Sequence, residues 1–435
     1  MNVKNKFPKT VKLKTYLASL ALVSVILVSL IAYSYSVSSG LQRSLFLDNI
    51  PSTASYIIDQ ETVSEVTYNF ATRYDGKTLW YGYSASYVIQ SAINALGTVG
   101  GKIFIKKGTY WISSTISLNN ASNVLIEGED IDAVILMLAN GANCDIFSYT
   151  GTTLQYFFGL RDLTLHGYKA VNTAGHGIFV KYTPDDGRLM DIMMEHVFLR
   201  DFAEDNIHIQ TIWGLRLYDV ISENSNSHGC YLGGWGTNAK LWGCKFNSNV
   251  GSGLVVWLSQ ISVIGCEMGE NGIYGLDAGG SIYGLNVLGC ALYNSVKHNL
   301  FLENTIGASI LGNDMRNPGT GYYDVNIASV SSNNVITENY FSKCSDAGTN
   351  NIIRFNRGFV TENSGTATIS SGNTYIWVAH GLAGTPTYVQ LTPKNDLGGR
   401  SFWWNSANST HFKIHISSAD LTNNLSFTWE GEYKP

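Results

Sequence analysis

Two columns of residues recur at a near-constant period through the central part of the chain. The first column advances in steps of 24, 24, 22, 24, 23 and 26 residues, and it consists of His196, Val220, Cys244, Cys266, Cys290, Asn313 and Asn339. The second column follows about ten residues later in each segment and consists of Ile178, Ile207, Cys230, Leu254, Leu276, Leu300, Val325 and Ile352. Short alternating runs at such a period are typical of a solenoid with one turn per repeat.

A strand that recurs once per turn pairs in parallel with its copy, about 4.8 Å along the axis. Equivalent side chains then stack into files. The repeat therefore predicts an all-β fold, a single-stranded right-handed parallel β-helix, over residues 65–358. Apolar residues at helical spacing from Tyr87 to Leu96 predict a capping helix that closes the open end of the core. The repeat stops after Phe355, and five short β runs in residues 359–435 predict a small C-terminal β-sandwich.

The first 40 residues predict a membrane or export element. An uncharged, mostly apolar run at 16–37 follows five lysines and is long enough to cross a hydrocarbon core of about 30 Å. The lysines place the N-terminus inside the cell, so we expect a single-pass anchor (1–40), a juxtamembrane spacer (41–64) and an extracellular body. The alternative is a cleaved signal peptide, with Ser34 and Ser36 near the cleavage site, which would make the protein secreted.

The segment that enters the repeats has a recognisable order of elements. It reads IQSAINAL, GGKIFIKKGTYWISSTISL and NVLIEGED within residues 89–130. This order resembles the entry segment of the pectate-lyase-like superfamily, which includes rhamnogalacturonase/epimerase-like domains and phage tailspikes. The resemblance implies the β-helix fold and leaves the activity open, because one fold hosts many functions.

The C-terminal sequence carries a second resemblance. The runs AHGLAGTPTYVQLTP and LSFTWEGEY resemble a small β-sandwich found at the ends of viral tail fibres. In that family the sandwich implies trimerisation or receptor contact.

Charge argues against a nucleic-acid partner. The net charge is −5, from 28 Lys and Arg against 33 Asp and Glu, and no basic cluster exists outside the N-terminus. A binder of nucleic acid needs a basic field to neutralise phosphates. We therefore expect no nucleic-acid binding.

Three cysteines, Cys244, Cys266 and Cys290, are predicted on successive turns. We interpret them as buried structural thiols that fill one interior position. A disulfide is the alternative, because the spacing of turns suits its geometry and the compartment is oxidising. No Cys or His pair has the spacing of a metal site, so no metal ion or other cofactor is expected. A resemblance to the calcium-dependent lyases of the superfamily would imply Ca²⁺, but no ligand cluster is evident.

Outward files beside the second column mix aromatic, imidazole and acidic side chains. Sugar rings lay their C–H faces on aromatic rings and need polar partners at their edges, so a polysaccharide along the axis would meet a partner on each turn. The binding candidates are Phe179, His208, Tyr231, Trp257, Tyr274 and Phe301. The alternative is that His or Tyr before Gly satisfies turn backbone groups, and that scattered surface aromatics are ordinary.

Cleavage of a glycosidic bond by hydrolysis needs two carboxyl groups, about 6.5–9.5 Å apart for an inverting enzyme. Asp277 and Glu303 are predicted on adjacent turns and reach this range, while Asp205 and His228 form a second catalytic candidate cluster. The catalytic motifs of polygalacturonase-like members and the clustered acids of calcium-dependent lyases are absent. We therefore keep two functions open, a polysaccharide hydrolase or lyase at the cell surface and a non-catalytic adhesin or structural spike.

One further outward file is apolar, which exceeds the scatter expected of free surface. Either the N-terminal segment or a loop covers it, or identical chains meet there. The second option, with the fibre-like C-terminal module, predicts a homotrimer. The file consists of Tyr218, Trp242, Ile264, Leu288, Leu311 and Thr337.

Overall fold

The computed structural model describes residues 54–119, 121–151, 153–181 and 189–435. The apolar run at 16–37, and with it the predicted anchor, lies outside the described residues. Within the described part of the chain, no helix is long and apolar enough to cross a membrane.

The central part of the chain is a parallel β-helix whose turns contribute strands to three faces. The first face contains the strands Gly101–Ile105, Val124–Gly128, Ser259–Ile264, Asn286–Leu288, Ser309–Leu311, Val335–Thr337 and Ile352–Arg354. The second face contains Gly108–Ile112, Val134–Leu138, Ile221–Glu223, Lys245–Asn247, Glu267–Gly269, Ala291–Tyr293 and Asp314–Arg316.

The third face carries most of the candidate site residues. It contains Ile116–Ser117, Phe147–Tyr149, Ile178–Val180, Leu254–Val256, Leu276–Ala278, Leu300–Leu302, Val325–Ile327 and Cys344–Asp346. Four longer strands continue around a corner from one face to the next: Gln155–His166, Leu189–Arg200, Ile207–Tyr218 and Cys230–Trp242. A short additional pair, Ile282–Tyr283 with Thr305–Ile306, follows the third face.

A helix and a three-stranded antiparallel element precede the first complete turn. The helix, Ala85–Leu96, begins after Ser84, whose side chain accepts a hydrogen bond from the Tyr87 backbone N–H. Its apolar side buries Val88, Ile89 and Ile93 against the end of the core, as predicted. The strands are Tyr56–Val63, Val66–Arg73 and Thr78–Gly82.

The predicted spacer at 41–64 was drawn too far along the chain. Tyr56–Val63 pairs in parallel with Gly101–Ile105 and antiparallel with Val66–Arg73, so these residues belong to the sheet. The physical reason is visible in the burial of Tyr56 and Ile58, which face the core. The β structure of the described chain therefore starts ahead of residue 65.

The C-terminal part folds into two three-stranded antiparallel sheets, which confirms the predicted β-sandwich. One sheet has the order Glu362–Ile369, Leu425–Glu432, Tyr388–Pro393, and the other Tyr375–Ala379, His411–Ile416, Phe402–Asn405. The sandwich has its own apolar core around Phe412, Phe427 and Trp429.

The interior cysteines lie on successive turns as predicted, and all six cysteines are free. Trp242, Ile264 and Leu288 are in register, which places Cys244, Cys266 and Cys290 two residues later on each turn. Each thiol donates to a backbone carbonyl of the preceding turn, at 3.5, 3.6 and 3.4 Å. The file then continues as an asparagine ladder in which the backbone N–H of one turn donates to the side chain of the next: Cys290 to Asn313, Asn313 to Asn339 and Asn339 to Asn356.

Each of the two columns predicted from the sequence contains one residue, at one end, that does not share the file of the others. Glu195 pairs with Tyr218 and Phe198 with Ile221, so Val197 precedes Val220 in the file; His196 is exposed, with a left-handed φ of 54°. That backbone kink shifts the alternation by one residue.

At the other end, Val325 pairs with Cys344 rather than sharing a file with Ile352. Ile352 pairs with Val335 on the first face. The last turns are shorter than the period assumed from the rest of the chain, so the fixed period overshoots.

Candidate functional site

The outward file along the third face has the register that the sequence predicted. Backbone pairing aligns Phe179, His208, Tyr231, Val255, Asp277, Phe301 and Asn326 on consecutive turns. A parallel ladder keeps these side chains about 4.8 Å apart along the axis. The face is therefore a row of similar positions rather than a single pocket.

Aromatic rings form a continuous group on the earlier turns of this face. Phe179 and His208 have ring centroids 5.3 Å apart, and His208 stacks on Tyr231 at 4.6 Å with 13° between the planes. Trp257 meets Tyr231 edge-on at 5.6 Å and is 39% exposed. These rings offer apolar faces to a ligand that lies along the axis.

A second ring group occupies the later turns. Tyr274 and Phe301 have centroids 5.0 Å apart, and Tyr274 stacks on His298 at 5.7 Å. Tyr322, from the enlarged turn after Asn317, meets His298 edge-on at 5.0 Å. The turn at 317–321 thus ends beside the site.

Asp277 lies on the turn between Val255 and Phe301. Burial, followed by the charge of Glu303, raises the pKa of the Asp277 carboxyl to about 7. Its Oδ1 is buried and has no hydrogen-bond partner among the described residues. An unpartnered carboxyl with a pKa near neutrality can hold a proton at pH 7 and release it.

Glu303 and Trp257 approach the same point from opposite sides. A β-carbon built on Gly279 would lie 2.6 Å from Glu303 Oε2 and 2.9 Å from Trp257 Nε1. Gly279 therefore leaves room above the sheet that any larger residue would fill. Asp277 and Glu303, which the sequence placed on adjacent turns, are neighbours whose charges interact.

A separate group of imidazoles and carboxylates lies at the earlier end of the face. His176 Nδ1 is 2.9 Å from Asp145 Oδ1 and 3.5 Å from Glu204 Oε2, while His208 Nδ1 is 2.6 Å from Asp205 Oδ2. The rings of His176 and His208 have centroids 5.0 Å apart. Two sets of three residues bring their ligand atoms within 4.8 Å of one another: His176, Asp205, His208, and Asp145, His176, Glu204.

Electrostatics within this group favour positive charge. Burial opposes protonation of His176, but the hydrogen bond with Asp145 and the nearby carboxylates raise the pKa of its imidazole. Burial would raise the pKa of Asp205, yet hydrogen bonds from His208, Ser227 and the His228 backbone lower it. Asp205 therefore stays ionised at neutral pH.

His228 serves the backbone of the turns. Its N–H donates to Asp205 Oδ1 at 2.7 Å, and its Nδ1 accepts from the Ser252 N–H at 3.0 Å. Burial lowers the pKa of the imidazole, which keeps it neutral. His298 makes the equivalent contact with the Tyr323 N–H at 3.0 Å. The structural interpretation thus holds for His228 before Gly229, and His298 before Asn299 makes the same kind of contact.

The predicted catalytic residues lie in two separate places on the third face. Asp205 and His228 contact each other, and Asp277 and Glu303 form a pair two to three turns further along, about 10–14 Å away at the spacing of parallel strands. The predicted binding residues divide likewise, with Trp257 between the groups.

The second column of repeating residues begins only at Ile178. The sequence therefore did not reveal the clustered ligand atoms of Asp145, His176 and Glu204. Ligand atoms therefore cluster where none was evident from the sequence, and the absence of a bound metal ion stays a prediction. The sequence signal for this cluster is a His or Asp directly before the Gly or Asn that precedes successive strands of the third face.

Three faces of parallel strands, a capping helix and stacked interior files define a right-handed parallel β-helix. Comparison with solved structures finds individual proteins with a similar fold. ORF18 of Geobacillus virus E2 is 18% identical, with a TM-score of 0.57, over 80% of this chain and 75% of that one. At this identity the likeness establishes the shared fold and nothing more.

Two other solved structures align with this chain at lower similarity. The enzymatically active domain of bacteriophage CBA120 tailspike protein 2 is 10% identical with a TM-score of 0.49, over 89% of this chain and 91% of that one. The Azotobacter vinelandii mannuronan C-5 epimerase AlgE4 A-module is 14% identical with a TM-score of 0.48, over 62% and 91%. No protein-family model and no curated protein matches the sequence.

Proposed function

We propose that the third face binds a polysaccharide along the helix axis and that Asp277 and Glu303 cleave a glycosidic bond in it. The observation that carries this proposal is the Asp277 carboxyl, whose pKa of about 7 results from burial and from Glu303 beside it. Ring groups flank the pair on both sides, with Trp257 before it and Tyr274 and Phe301 beside it. A sugar chain held on those rings passes over both carboxyls.

The two carboxyls divide the chemistry of hydrolysis between them. Protonated Asp277 donates its proton to the glycosidic oxygen as the bond to the anomeric carbon breaks. Glu303 accepts a proton from the water that attacks this carbon. The residues stand one turn and two positions apart, about 8 Å between α-carbons. We propose inversion of configuration, which requires about 6.5–9.5 Å between the two carboxyl groups.

The charge of the face favours a neutral polysaccharide. Five carboxyl groups, Asp145, Glu204, Asp205, Asp277 and Glu303, lie along it, and the ion pairs that the first three make within the described residues are with histidines. An anionic polymer would meet like charge from the carboxylates other than the protonated Asp277. A neutral polysaccharide carries no charge and meets no such repulsion.

A non-catalytic adhesin is the second candidate. One observation favours it: the aromatic surface extends over several turns, whereas the carboxyl pair occupies only one place on it. Binding needs the rings alone. The two functions differ in whether product appears.

The decisive experiment incubates the purified full chain with a panel of neutral and acidic polysaccharides and measures new reducing ends and chain length. We expect a neutral polymer to be cut, with Glu303→Gln and Asp277→Asn each slowing cleavage about 100-fold or more while retention of the polymer persists. Trp257→Ala should weaken retention, with exposed Trp377→Ala on the sandwich as the matched control.

The outcomes separate the candidates. Retention without cleavage by the wild type supports the adhesin and rejects the enzyme. If nothing on the panel is retained, both fail. Cleavage by Glu303→Gln at the wild-type rate rejects the assigned pair.

We further propose that the protein is exported and tethered by residues 16–37, since five lysines precede that apolar run. Export would bring the third face to glycans outside the cell. Intact mass of the protein recovered from its host distinguishes the anchor from a cleaved signal peptide.

The apolar file of the first face supports an assembly of identical chains. Its side chains are in register and half-buried, and Tyr218 stacks on Trp242 at 5.1 Å. We propose a homotrimer joined through this file. Trp242→Glu should convert a trimer into monomers by light scattering; a monomeric wild type rejects the proposal.

A further inference from the structure

We propose that His176, Asp205 and His208 bind a divalent transition-metal ion of the zinc type. One ligand atom from each of these side chains lies within 4.8 Å of the other two. Two imidazoles and one carboxylate are a donor set that suits Zn²⁺ and its neighbours in the first transition row, whereas Ca²⁺ and Mg²⁺ prefer oxygen ligands.

The unpartnered nitrogen of His208 is the first independent observation. His208 Nε2 is buried and makes no hydrogen bond among the described residues. A buried polar atom without a partner costs free energy, so such atoms usually have one. Nδ1 of the same ring lies 2.6 Å from Asp205 Oδ2, so Nε2 is the nitrogen of His208 that lacks a partner among the described residues.

The support behind the histidines is the second observation. Asp145 accepts from the His176 backbone N–H at 2.9 Å and also lies 2.9 Å from its Nδ1; Asp205 lies 2.6 Å from His208 Nδ1. Metal-binding histidines usually have one ring nitrogen held by a carboxylate, which fixes the ring and strengthens the other nitrogen as a ligand. His176 has this arrangement with Asp145, whereas Asp205 is itself one of the three proposed ligands.

Rigidity and charge complete the site. The side chains of Asp205, His176 and His208 are 6%, 13% and 16% exposed, so their rotamers are constrained by packing. They are set on adjacent strands, because Ile178 pairs with Ile207 and Phe179 with His208. Glu204 adds a third carboxylate, 3.5 Å from His176 Nδ1. The local excess of negative charge attracts a cation into this preformed group.

The site is independent of the proposed cleavage. It lies about three turns from Asp277, or about 14 Å along the axis. A bound ion there would leave Asp277 and Glu303 untouched, so loss of one function can be observed without loss of the other.

The test measures metal content and binding rather than turnover. Purified full-length protein is stripped with a chelator, dialysed against Zn²⁺, and analysed by elemental mass spectrometry and titration calorimetry. We expect one Zn²⁺ per chain with a Kd below about 10 µM, and a higher melting temperature with Zn²⁺ present. Ca²⁺ should bind at least about 100-fold more weakly.

Variants locate the ion. His208→Gln and His176→Gln should each weaken Zn²⁺ binding by 10- to 100-fold or more, by analogy with the loss of supporting groups at metal sites. His415→Gln is the matched control, because this histidine is on the sandwich and contacts Trp403 and Asn405 instead of carboxylates. Asp277→Asn should keep the ion while losing cleavage.

Three outcomes would overturn the proposal: no stoichiometric Zn²⁺ on the wild type, equal Zn²⁺ binding by wild type and His208→Gln, or tighter binding of Ca²⁺ than of Zn²⁺. Melting curves without metal show whether each variant is folded. If His208→Gln does not fold, Co²⁺ substitution in the wild type decides instead, since tetrahedral nitrogen and oxygen ligation gives an intense visible spectrum and hydrated Co²⁺ does not.

Discussion

The Trp257 indole nitrogen and the Glu303 carboxylate converge over Gly279, one from the turn before and one from the turn after. A methyl group at residue 279 would come within 2.9 Å of the first and 2.6 Å of the second. The glycine thus maintains the space in which a ligand meets both groups.

Gly279→Ala should therefore impair the site without unfolding the chain. The added β-carbon must displace the Glu303 and Trp257 side chains, so we expect polysaccharide cleavage to fall at least about 10-fold, because small misplacements of catalytic groups are costly. The measurement is the initial rate of reducing-end release. Gly82→Ala is the control, since a β-carbon there has no neighbour within 4 Å. Equal rates for the two variants would contradict the assigned space.

Asp277→Asn should stabilise the protein at alkaline pH. The folded-state pKa of about 7 is above the ordinary value of 3.8, so the native state holds this proton more tightly than the unfolded state does. The contribution of Asp277 to stability is then greatest at low pH and declines as pH rises from about 4 through 7. At pH 8 the neutral amide removes that cost, and we expect a gain of at least about 1 kcal/mol.

Urea unfolding at pH 4.5 and pH 8 checks this expectation. The gain should be much smaller at the lower pH, because the Asp277 carboxyl is then mostly protonated in the folded state. The exposed Asp132→Asn serves as the reference. A gain that is the same at both pH values would mean that the Asp277 carboxyl is not the cause.

The asparagine ladder should contribute strongly to stability. Asn339 is fully buried; its amide donates to the Ile310 carbonyl and Asn356, and its oxygen accepts from the Asn313 backbone, each at 2.9–3.0 Å. Asn339→Ala leaves these groups unpaired, and we expect a loss of about 2–4 kcal/mol in the free energy of unfolding. Exposed Asn373→Ala should change stability by less than about 0.5 kcal/mol. Equal denaturation midpoints for both variants would show that the ladder contributes little.

The three stacked cysteines should be chemically silent in the native state. Cys244, Cys266 and Cys290 are at most 2% exposed, and the pKa of the Cys266 thiol is raised by its hydrogen bond to Cys244 and by burial. Thiolate is the reactive form, so iodoacetamide should leave these residues unmodified until the protein is denatured. Peptide mass spectrometry gives the answer. A mass lower by two hydrogens would instead indicate a disulfide.

The sequence period predicted much of this arrangement because parallel pairing transmits register from turn to turn. Once Ile178 and Ile207 are aligned, Phe179 and His208 must be neighbours, and the whole outward file follows. The same reasoning correctly placed the cysteines. It requires only that the turn length stay nearly constant.

Where turn length or backbone alternation changes, the period no longer predicts position. Val325 pairs with Cys344, 19 residues on, so the alignment to Ile352 failed. His196 left the file because its left-handed backbone interrupts the alternation. The cluster of Asp145 with His176 depends on a preceding turn of about 31 residues, which no repeat of two dozen residues would reveal.

The proton affinity of Asp277 was beyond the sequence for a different reason. Its pKa depends on how deeply the carboxyl is buried and where Glu303 points, and both are properties of side-chain packing. Residue spacing can place two acids on adjacent turns but cannot say which will stay protonated.

The parallel stack also fixes distances along the axis in equal steps. The imidazole cluster and the carboxyl pair are carried by separate coils, so their separation can change only in whole steps of about 4.8 Å. Excising the coil that bears Val255 would bring them one step nearer while each kept its own internal contacts. Adding or removing single coils of the β-helix would therefore change the number of sugar units that fit between the imidazole cluster and the carboxyl pair.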